Sequence, residues 1–302
     1  MIKIRDLEYL SAIGEHRHFG RAAESCFVSQ PTLSGQIMKL EEQLSLTLVE
    51  RQTRKVMLTP AGEQLLVEAR NVLKAANAFE TSAKALLDPF AGDLHVGLIP
   101  TLAPYLLPHI MAPLNIELPN INFYLYENQT KTLLKELEDG KLDLLILPWL
   151  EDMDKFDRYD LFEEPLVLTV APQHALANAD ELNLFDLKGQ NILSLEDGHC
   201  LRDQAMGYCF TAGVSEDQRF KATSLETLRY MVASNMGITL LPKLATLNTS
   251  LNKTISYIPF MKPEPVRQIS LLMRSGYSRM ECVRSIVKSV KASISSGSKQ
   301  NR

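Results

Sequence analysis

Ser29-Gln30-Pro31-Thr32-Leu33-Ser34-Gly35-Gln36-Ile37 is the stretch from which the N-terminal fold is read. The Ser29 hydroxyl suits a helix N-cap, and Pro31 is tolerated in a first turn, where its missing N–H has no partner to lose. Leu33, Ile37, Leu40 and Leu44 recur at helical spacing and form one buried stripe, leaving Gln30, Thr32, Ser34 and Gln36 off it. Upstream, Gly20-Arg21-Ala22-Ala23-Glu24-Ser25 reads as a short helix whose alanines permit close packing, joined to the next by the apolar turn Cys26-Phe27-Val28. Before it, Asp6 can cap a first helix with Leu7, Leu10 and Ile13 on its apolar face and Gly14 at its end. Two short helices about a tight turn, the second rich in short polar side chains, meet the needs of a helix-turn-helix. Gln, Ser and Thr there can bond base edges or phosphates in the major groove.

Downstream, Leu48-Val49-Glu50-Arg51, the polar turn Gln52-Thr53-Arg54-Lys55 and Val56-Met57-Leu58 read as a β-hairpin wing with Arg54 and Lys55 at its tip, near phosphate. Thr59-Pro60 then opens a long helix running to about Asp88. Its apolar positions Leu65, Ala69, Val72, Ala76, Phe79, Ala83 and Leu86 alternate spacings of four and three, a heptad seam suited to pairing with a second copy. A twofold protein reads two half-sites, so a homodimer is expected, and a dimer of dimers is compatible with it. A plain three-helix packing domain with a solvated basic turn is the competing reading. The agreement of cap, turn and wing signals weighs against it.

The chain has 302 residues and a net charge of −4, with eight basic and seven acidic side chains in residues 1–60. Nucleic-acid binding therefore has to come from a local motif, not from bulk charge. The first six residues carry charge with no apolar run behind them, which argues against a signal peptide, and no stretch approaches the length of a membrane span. A cytoplasmic location is expected. Disulfides there are normally transient, so an oxidisable cysteine pair is more readily regulatory than structural.

After Pro89-Phe90-Ala91-Gly92 the periodicity changes to alternating strands and helices: strands near 94–99, 122–127, 144–147, 166–170, 192–195, 220–222, 237–241, 255–258 and 269–273, with helices between them. This pattern predicts an α/β domain with parallel sheets covered on both faces. Ligands in such folds bind beyond the carboxyl ends of strands. Thr101, Thr130 and His199-Cys200 each follow a strand and can converge there.

Cys200 and Cys209 lie in Leu195-Glu196-Asp197-Gly198-His199-Cys200-Leu201-Arg202-Asp203-Gln204-Ala205-Met206-Gly207-Tyr208-Cys209-Phe210. Gly198 reads as a turn and the following residues as an opening helix. The helix N-terminus, with Arg202 and His199 beside it, is expected to lower the Cys200 thiol pKa. If the span is helical, the two Cα atoms stand about 13 Å apart. A disulfide needs about 7 Å, so joining the pair would require the segment to refold. Two unrelated buried cysteines are the bland alternative.

His16-Arg17-His18-Phe19, the Ser29 to Ile37 stretch, Gly97-Leu98-Ile99-Pro100-Thr101, the Cys200/Cys209 segment, Ala222-Thr223-Ser224-Leu225-Glu226-Thr227-Leu228-Arg229 and Lys262-Pro263-Glu264-Pro265 carry a resemblance over almost the whole chain. It resembles the LysR-type transcriptional regulators, and within them the peroxide-sensing branch. The resemblance implies an α+β winged helix-turn-helix with a long linker helix, then an α/β regulatory domain of two subdomains like the periplasmic binding proteins. The expected divisions are a DNA-binding domain over 1–60, a linker and dimerisation helix over 61–88 and a regulatory domain over 89–302. Its first subdomain covers about 93–163 and 268–302, and its second about 164–267. The resemblance further implies that Cys200 reacts with hydrogen peroxide and Cys209 resolves it as a reversible disulfide. Thr101, Thr130, His199, Arg202 and Asp203 would hold peroxide and an ordered water, and Arg267 would favour the thiolate. Arg21, Ser29, Gln30, Pro31, Thr32, Ser34, Gln36, Arg54 and Lys55 would face operator DNA.

RNA polymerase and cellular thiol reductants are the further partners implied, with no membrane partner, metal, cofactor or enzymatic turnover. Departures from the family pattern fall in 245–253, 153–160 and the polar tail 295–302. Cys26 and Cys282 are expected to be bystanders. A regulator answering to a small organic co-inducer and a thiol peroxidase remain as alternatives.

Overall fold

The computed structural model describes residues 1–52, 55–247 and 254–300, and the chain divides into two compact units, Met1–Lys84 and Ala85–Arg302. Thr53 and Arg54, at the expected wing tip, lie outside the described residues, as do 248–253 and 301–302.

The first unit contains α1 (Ile4–His16), α2 (Phe19–Ser25), α3 (Gln30–Leu44), β1 (Val49–Gln52), β2 (Lys55–Leu58) and all but the last three residues of α4 (Pro60–Leu87). Ser29 caps α3, its Oγ accepting from the Thr32 N–H at 3.3 Å. Leu33, Ile37 and Leu40 are buried against Leu10, Ile13, Ala22 and Ala23, and each such large side chain contributes about 1.5–3 kcal/mol by leaving water. The Glu41 carboxylate accepts from the N–H groups of Leu48 and Val49, fixing where β1 leaves α3. β1 and β2 pair antiparallel from Val49↔Leu58 to Gln52↔Lys55.

Two local expectations are corrected. Asp6 is not the cap of α1; it sits inside the first turn and accepts from the Lys3 N–H. Gly14 does not end α1, which runs on to His16. A Cβ at Gly14 would come within 2.5 Å of Leu66 on α4, so its role is close helix packing.

The second unit contains β3 (Gly92–Leu98), α5 (Ala103–Glu117), β4 (Ile121–Glu127), α6 (Thr130–Glu138), β5 (Leu144–Pro148), β6 (Phe156–Val170), β7 (Asn191–Leu195), α7 (Cys200–Thr211), β8 (Ser215–Ala222), α8 (Leu225–Ala233), β9 (Thr239–Pro242), β10 (Ser256–Ile258), β11 (Val266–Arg274) and α9 (Met280–Gln300). β3 runs parallel to β4 and β5, and β7 parallel to β8. The expectation of wholly parallel sheets is overturned by β11, which lies antiparallel between β5 and β6. β6 likewise runs antiparallel to each of its partners, β9, β10 and β11.

β6 is far longer than the sequence pattern suggests. It pairs with β11 along its first ten residues and with β9 and β10 beyond. Two separate hydrophobic cores share β6, the first taking Phe156 and Leu161 and the second Leu166, Leu168 and Val170. One gathers residues of β3, β5, α5, α6, β11 and α9; the other gathers residues of β7, α7, α8 and β9.

Candidate functional site

β3 delivers Thr101 just beyond its carboxyl end, α6 begins with Thr130, and β7 leads through Gly198 and His199 into Cys200, the first residue of α7. Gly198 has φ +97°, and a Cβ there would stand 2.7 Å from Gln129 Oε1. A side chain is therefore excluded by backbone conformation and by the approach of the loop before α6. The strand pair β6/β11 adds two groups from below. Arg267 and Glu164 are directly opposed across it, 1% and 2% exposed, with Arg267 Nε donating to Glu164 Oε2 at 2.7 Å. Arg267 also donates from Nη1 to Thr101 Oγ1 at 3.1 Å and from Nη2 to the Thr101 carbonyl at 2.9 Å. The other Glu164 oxygen accepts from the Leu244 N–H.

Cys200 is buried in the first core, and both it and Cys209 are free thiols. Burial pushes the Cys200 thiol up. The Thr130 hydroxyl, the Arg267 guanidinium and the Leu201 N–H act in the opposite sense, while the charge of Asp203 adds to the rise. Thr130 Oγ1 lies close enough to favour the thiolate, yet it is buried without a completed hydrogen bond to any group. A buried hydroxyl in that condition, beside a sulfur and a cation, is suited to a small polar guest.

The expectation that Arg202 and His199 depress this thiol is corrected. Arg202 turns away to Glu216, with further ion pairs to Asp197 and Asp203. Burial would raise the Glu216 carboxyl, but hydrogen bonds from Arg202, Ser194 and Gln218 outweigh it and hold the group at about 2. His199 is buried, and burial lowers its pKa against the raising effect of Glu196, so the ring is neutral at neutral pH and supplies no positive charge. Asp203 is exposed and paired to Arg202 at 3.1 Å. Thr101, Thr130, His199 and Arg267 are thus gathered about Cys200, whereas the Arg202 and Asp203 side chains belong to the outer face of α7.

Cys209 lies near the far end of the same unbroken helix. It is fully buried, in the second core, and burial pushes its thiol up to about 12. Nine residues of α-helix put its Cα about 13 Å from that of Cys200. Among the described residues there is no cluster of three or more His, Cys, Asp or Glu able to hold a metal.

In the first unit, Ser29, Gln30, Pro31 and Thr32 are exposed at the start of α3, and Ser34 and Gln36 are half-buried. Ser29 Oγ and Thr32 Oγ1 share a hydrogen bond of 2.7 Å. Arg21 is exposed, with Nη2 donating to the His16 carbonyl. Lys55 is the first residue of β2.

The model of the bacterial regulatory helix-turn-helix protein, lysR family, matches residues 4–63, and that of the LysR substrate binding domain matches residues 88–294. The chain belongs to the LysR family. Within this LysR group it is 51% identical to the DNA-binding transcriptional dual regulator OxyR of Escherichia coli (strain K12) over 275 residues, 91% of this chain and 90% of that protein. The full-length OxyR variant of Pseudomonas aeruginosa aligns with a TM-score of 0.77 at 32% identity, covering 96% of this chain and 95% of that one. The oxidized form of OxyR aligns at a TM-score of 0.63 and 46% identity, covering 69% of this chain and 98% of that one.

Sequence reasoning missed Glu164 and Gln129. Glu164 acts through a partner 103 positions away, and only its place in Glu163-Glu164-Pro165, entering an apolar strand, marks it as unusual.

Proposed function

We propose that this chain is a hydrogen-peroxide-responsive, DNA-binding transcriptional regulator that switches through a reversible Cys200–Cys209 disulfide. The observation that carries the reading is the Cys200 thiol, buried at the start of α7 beside the partnerless Thr130 hydroxyl and the Arg267 guanidinium. Peroxide seated there takes hydrogen bonds from the threonine hydroxyls. The Cys200 thiolate attacks one oxygen and the O–O bond breaks, giving Cys–SOH and hydroxide, which takes up a proton to become water. The sulfenic acid condenses with the Cys209 thiol, forming the S–S bond and releasing a second water. A dithiol reductant supplies the two electrons that reverse it.

The raised resting pKa keeps the Cys200 sulfur mostly as thiol at neutral pH, which slows its reaction with peroxide. Since α7 holds the two sulfurs apart, the disulfide can form only if that helix unwinds, and this rearrangement is the signal. Operator DNA is met by α3, with Gln30, Thr32, Ser34 and Gln36 toward base edges and Arg21, Arg54 and Lys55 toward phosphate. Exposed Val72 and Phe79 on α4 support pairing of two copies along that helix. RNA polymerase and cellular thiol reductants are the remaining partners of the reading. No helix among the described residues is long and apolar enough to cross a membrane.

The test is a peroxide pulse followed by mass spectrometry of the thiols, alongside footprinting of operator DNA with reduced and oxidised protein. Wild type should gain the Cys200–Cys209 disulfide and change its footprint, and Cys200→Ser should do neither while still binding DNA. An unchanged peroxide response in Cys200→Ser would overturn the chemistry. Binding that follows a small organic ligand and ignores oxidation would favour the co-inducer reading, and fast peroxide turnover without DNA affinity the peroxidase.

A further inference from the structure

Arg267 is the cation nearest in effect to the Cys200 sulfur, and it is not free to exert its full charge. Its Nε is held by Glu164 at 2.7 Å, both side chains being sealed from solvent at 0% and 2% exposure. Glu164 is in turn fixed by the Leu244 N–H, so the carboxylate cannot swing away. The link directs the Nη edge of the guanidinium toward Thr101, whose carbonyl and hydroxyl take one bond each. A buried carboxylate directly opposite on the neighbouring strand therefore does two things. It orients the guanidinium, and it cancels part of the positive field that would otherwise reach the sulfur. In a poorly solvated interior that field is weakly screened.

We propose that Glu164 is a positioning residue that sets the peroxide threshold, by holding Arg267 in place and tempering its charge so that Cys200 stays quiescent at rest. The proposal rests on Cys200 being the peroxide-reactive group. The other groups bearing on Cys200 are the Thr130 hydroxyl from α6, the Leu201 N–H and the Asp203 carboxylate from α7 itself; neighbouring His199 is neutral. Glu164 acts from β6, through Arg267 on β11. Removing its charge while keeping its shape leaves Arg267 uncompensated, so thiolate is favoured and Cys200 ionises at lower pH. Thiolate at neutral pH, and with it the rate of reaction with peroxide, rises by about tenfold for each pKa unit lost.

The experiment is an ultraviolet thiolate titration of the full chain in the absence of peroxide. The Cys200→Ser titration in the same background is subtracted. It is followed by the rate of sulfenic acid and disulfide formation after a peroxide pulse. Glu164→Gln should titrate at lower pH than wild type and react faster at neutral pH, and the change should shrink in an Arg267→Gln background, where only the direct field of the carboxylate is lost. An unshifted or upward-shifted titration in folded Glu164→Gln overturns the proposal, as does an equal shift in the Arg267→Gln background. An uncompensated buried charge costs stability, so Glu164→Gln is checked for native circular dichroism. If it fails to fold, Glu164→Asp carries the test. That variant keeps the charge but withdraws it by one methylene, and should shift the titration the same way by less; no shift overturns the proposal. If the titrations shift as expected while peroxide leaves Cys200 reduced in every variant, the tuning stands and the peroxide reading falls.

Discussion

Arg202 Nε and Nη2 each stand 2.9 Å from a different oxygen of Glu216, so a two-pronged ion pair ties the first turn of α7 to β8. The Glu216 side chain is nearly sealed and that of Arg202 one-fifth exposed. The brace stabilises the helical state by about 1–2 kcal/mol, allowing for partial screening. Arg202→Ala should therefore let α7 open more readily. The peroxide dose giving half-maximal Cys200–Cys209 disulfide, followed by mass spectrometry, should fall several-fold. An unchanged dose would show that the brace does not restrain the switch.

Acid should weaken the same brace. Glu216 titrates at about 2 in the folded chain, below its ordinary range, so its contribution is fully present above that range and is lost as pH falls toward about 2. Thermal melting between neutral and acid pH should show a steeper loss for wild type than for Glu216→Gln. Parallel curves would count against it.

Gly207 lies inside α7, between the two sulfurs, and a Cβ placed there meets nothing within 4 Å. Neither packing nor a positive φ requires glycine at this position, and its cost to the helix is about 1 kcal/mol relative to alanine. Gly207→Ala should raise the melting temperature of the reduced protein and slow disulfide formation once Cys–SOH has formed. Faster closure of the disulfide would contradict this.

Gly198 differs in kind. Its φ of +97° and the 2.7 Å approach of Gln129 leave no room for alanine. Gly198→Ala should destabilise the start of α7, and the double variant with Gln129→Ala should recover only part of the loss, because the backbone strain remains. Full recovery would mean that the clash alone matters. Denaturant melts of the four proteins decide it.

The head of the chain was legible because its determinants are local. The Ser29 cap, the Leu33-Ile37-Leu40 stripe and the proline in the first turn of α3 lie within a dozen residues of one another. For the same reason the opening of α7 after Gly198 could be read directly. What could not be read depends on contacts between distant segments. The insertion of β11 between β5 and β6 decides both the mixed sheet and the Arg267–Glu164 pairing. Helix-end and charge arguments suggested a depressed Cys200 thiol. The core packed against it and the diversion of Arg202 to Glu216 gave the opposite sign. Gly14 misled because a glycine that ends a helix and one that admits a neighbouring leucine look alike in sequence.

Ser29→Ala offers a test of the head. Loss of the cap should cost about 1 kcal/mol, and operator affinity should fall if the first turn of α3 faces DNA as proposed. Fluorescence anisotropy with labelled operator, compared with a scrambled duplex, would reveal whether specific binding suffers more than general binding. Equal losses on both would assign Ser29 to phosphate contact alone.

Cys200 and Cys209 are anchored in different hydrophobic interiors, which draw on successive stretches of β6. Any bond between them must pull at least one of the two out of the interior it fills, exposing apolar surface that water disfavours. The oxidised protein thus resembles a drawn bow, held by a single covalent string. Once a reductant cuts that string, α7 can re-form without outside help, so the lifetime of the alarm is governed by how fast sulfur is reduced.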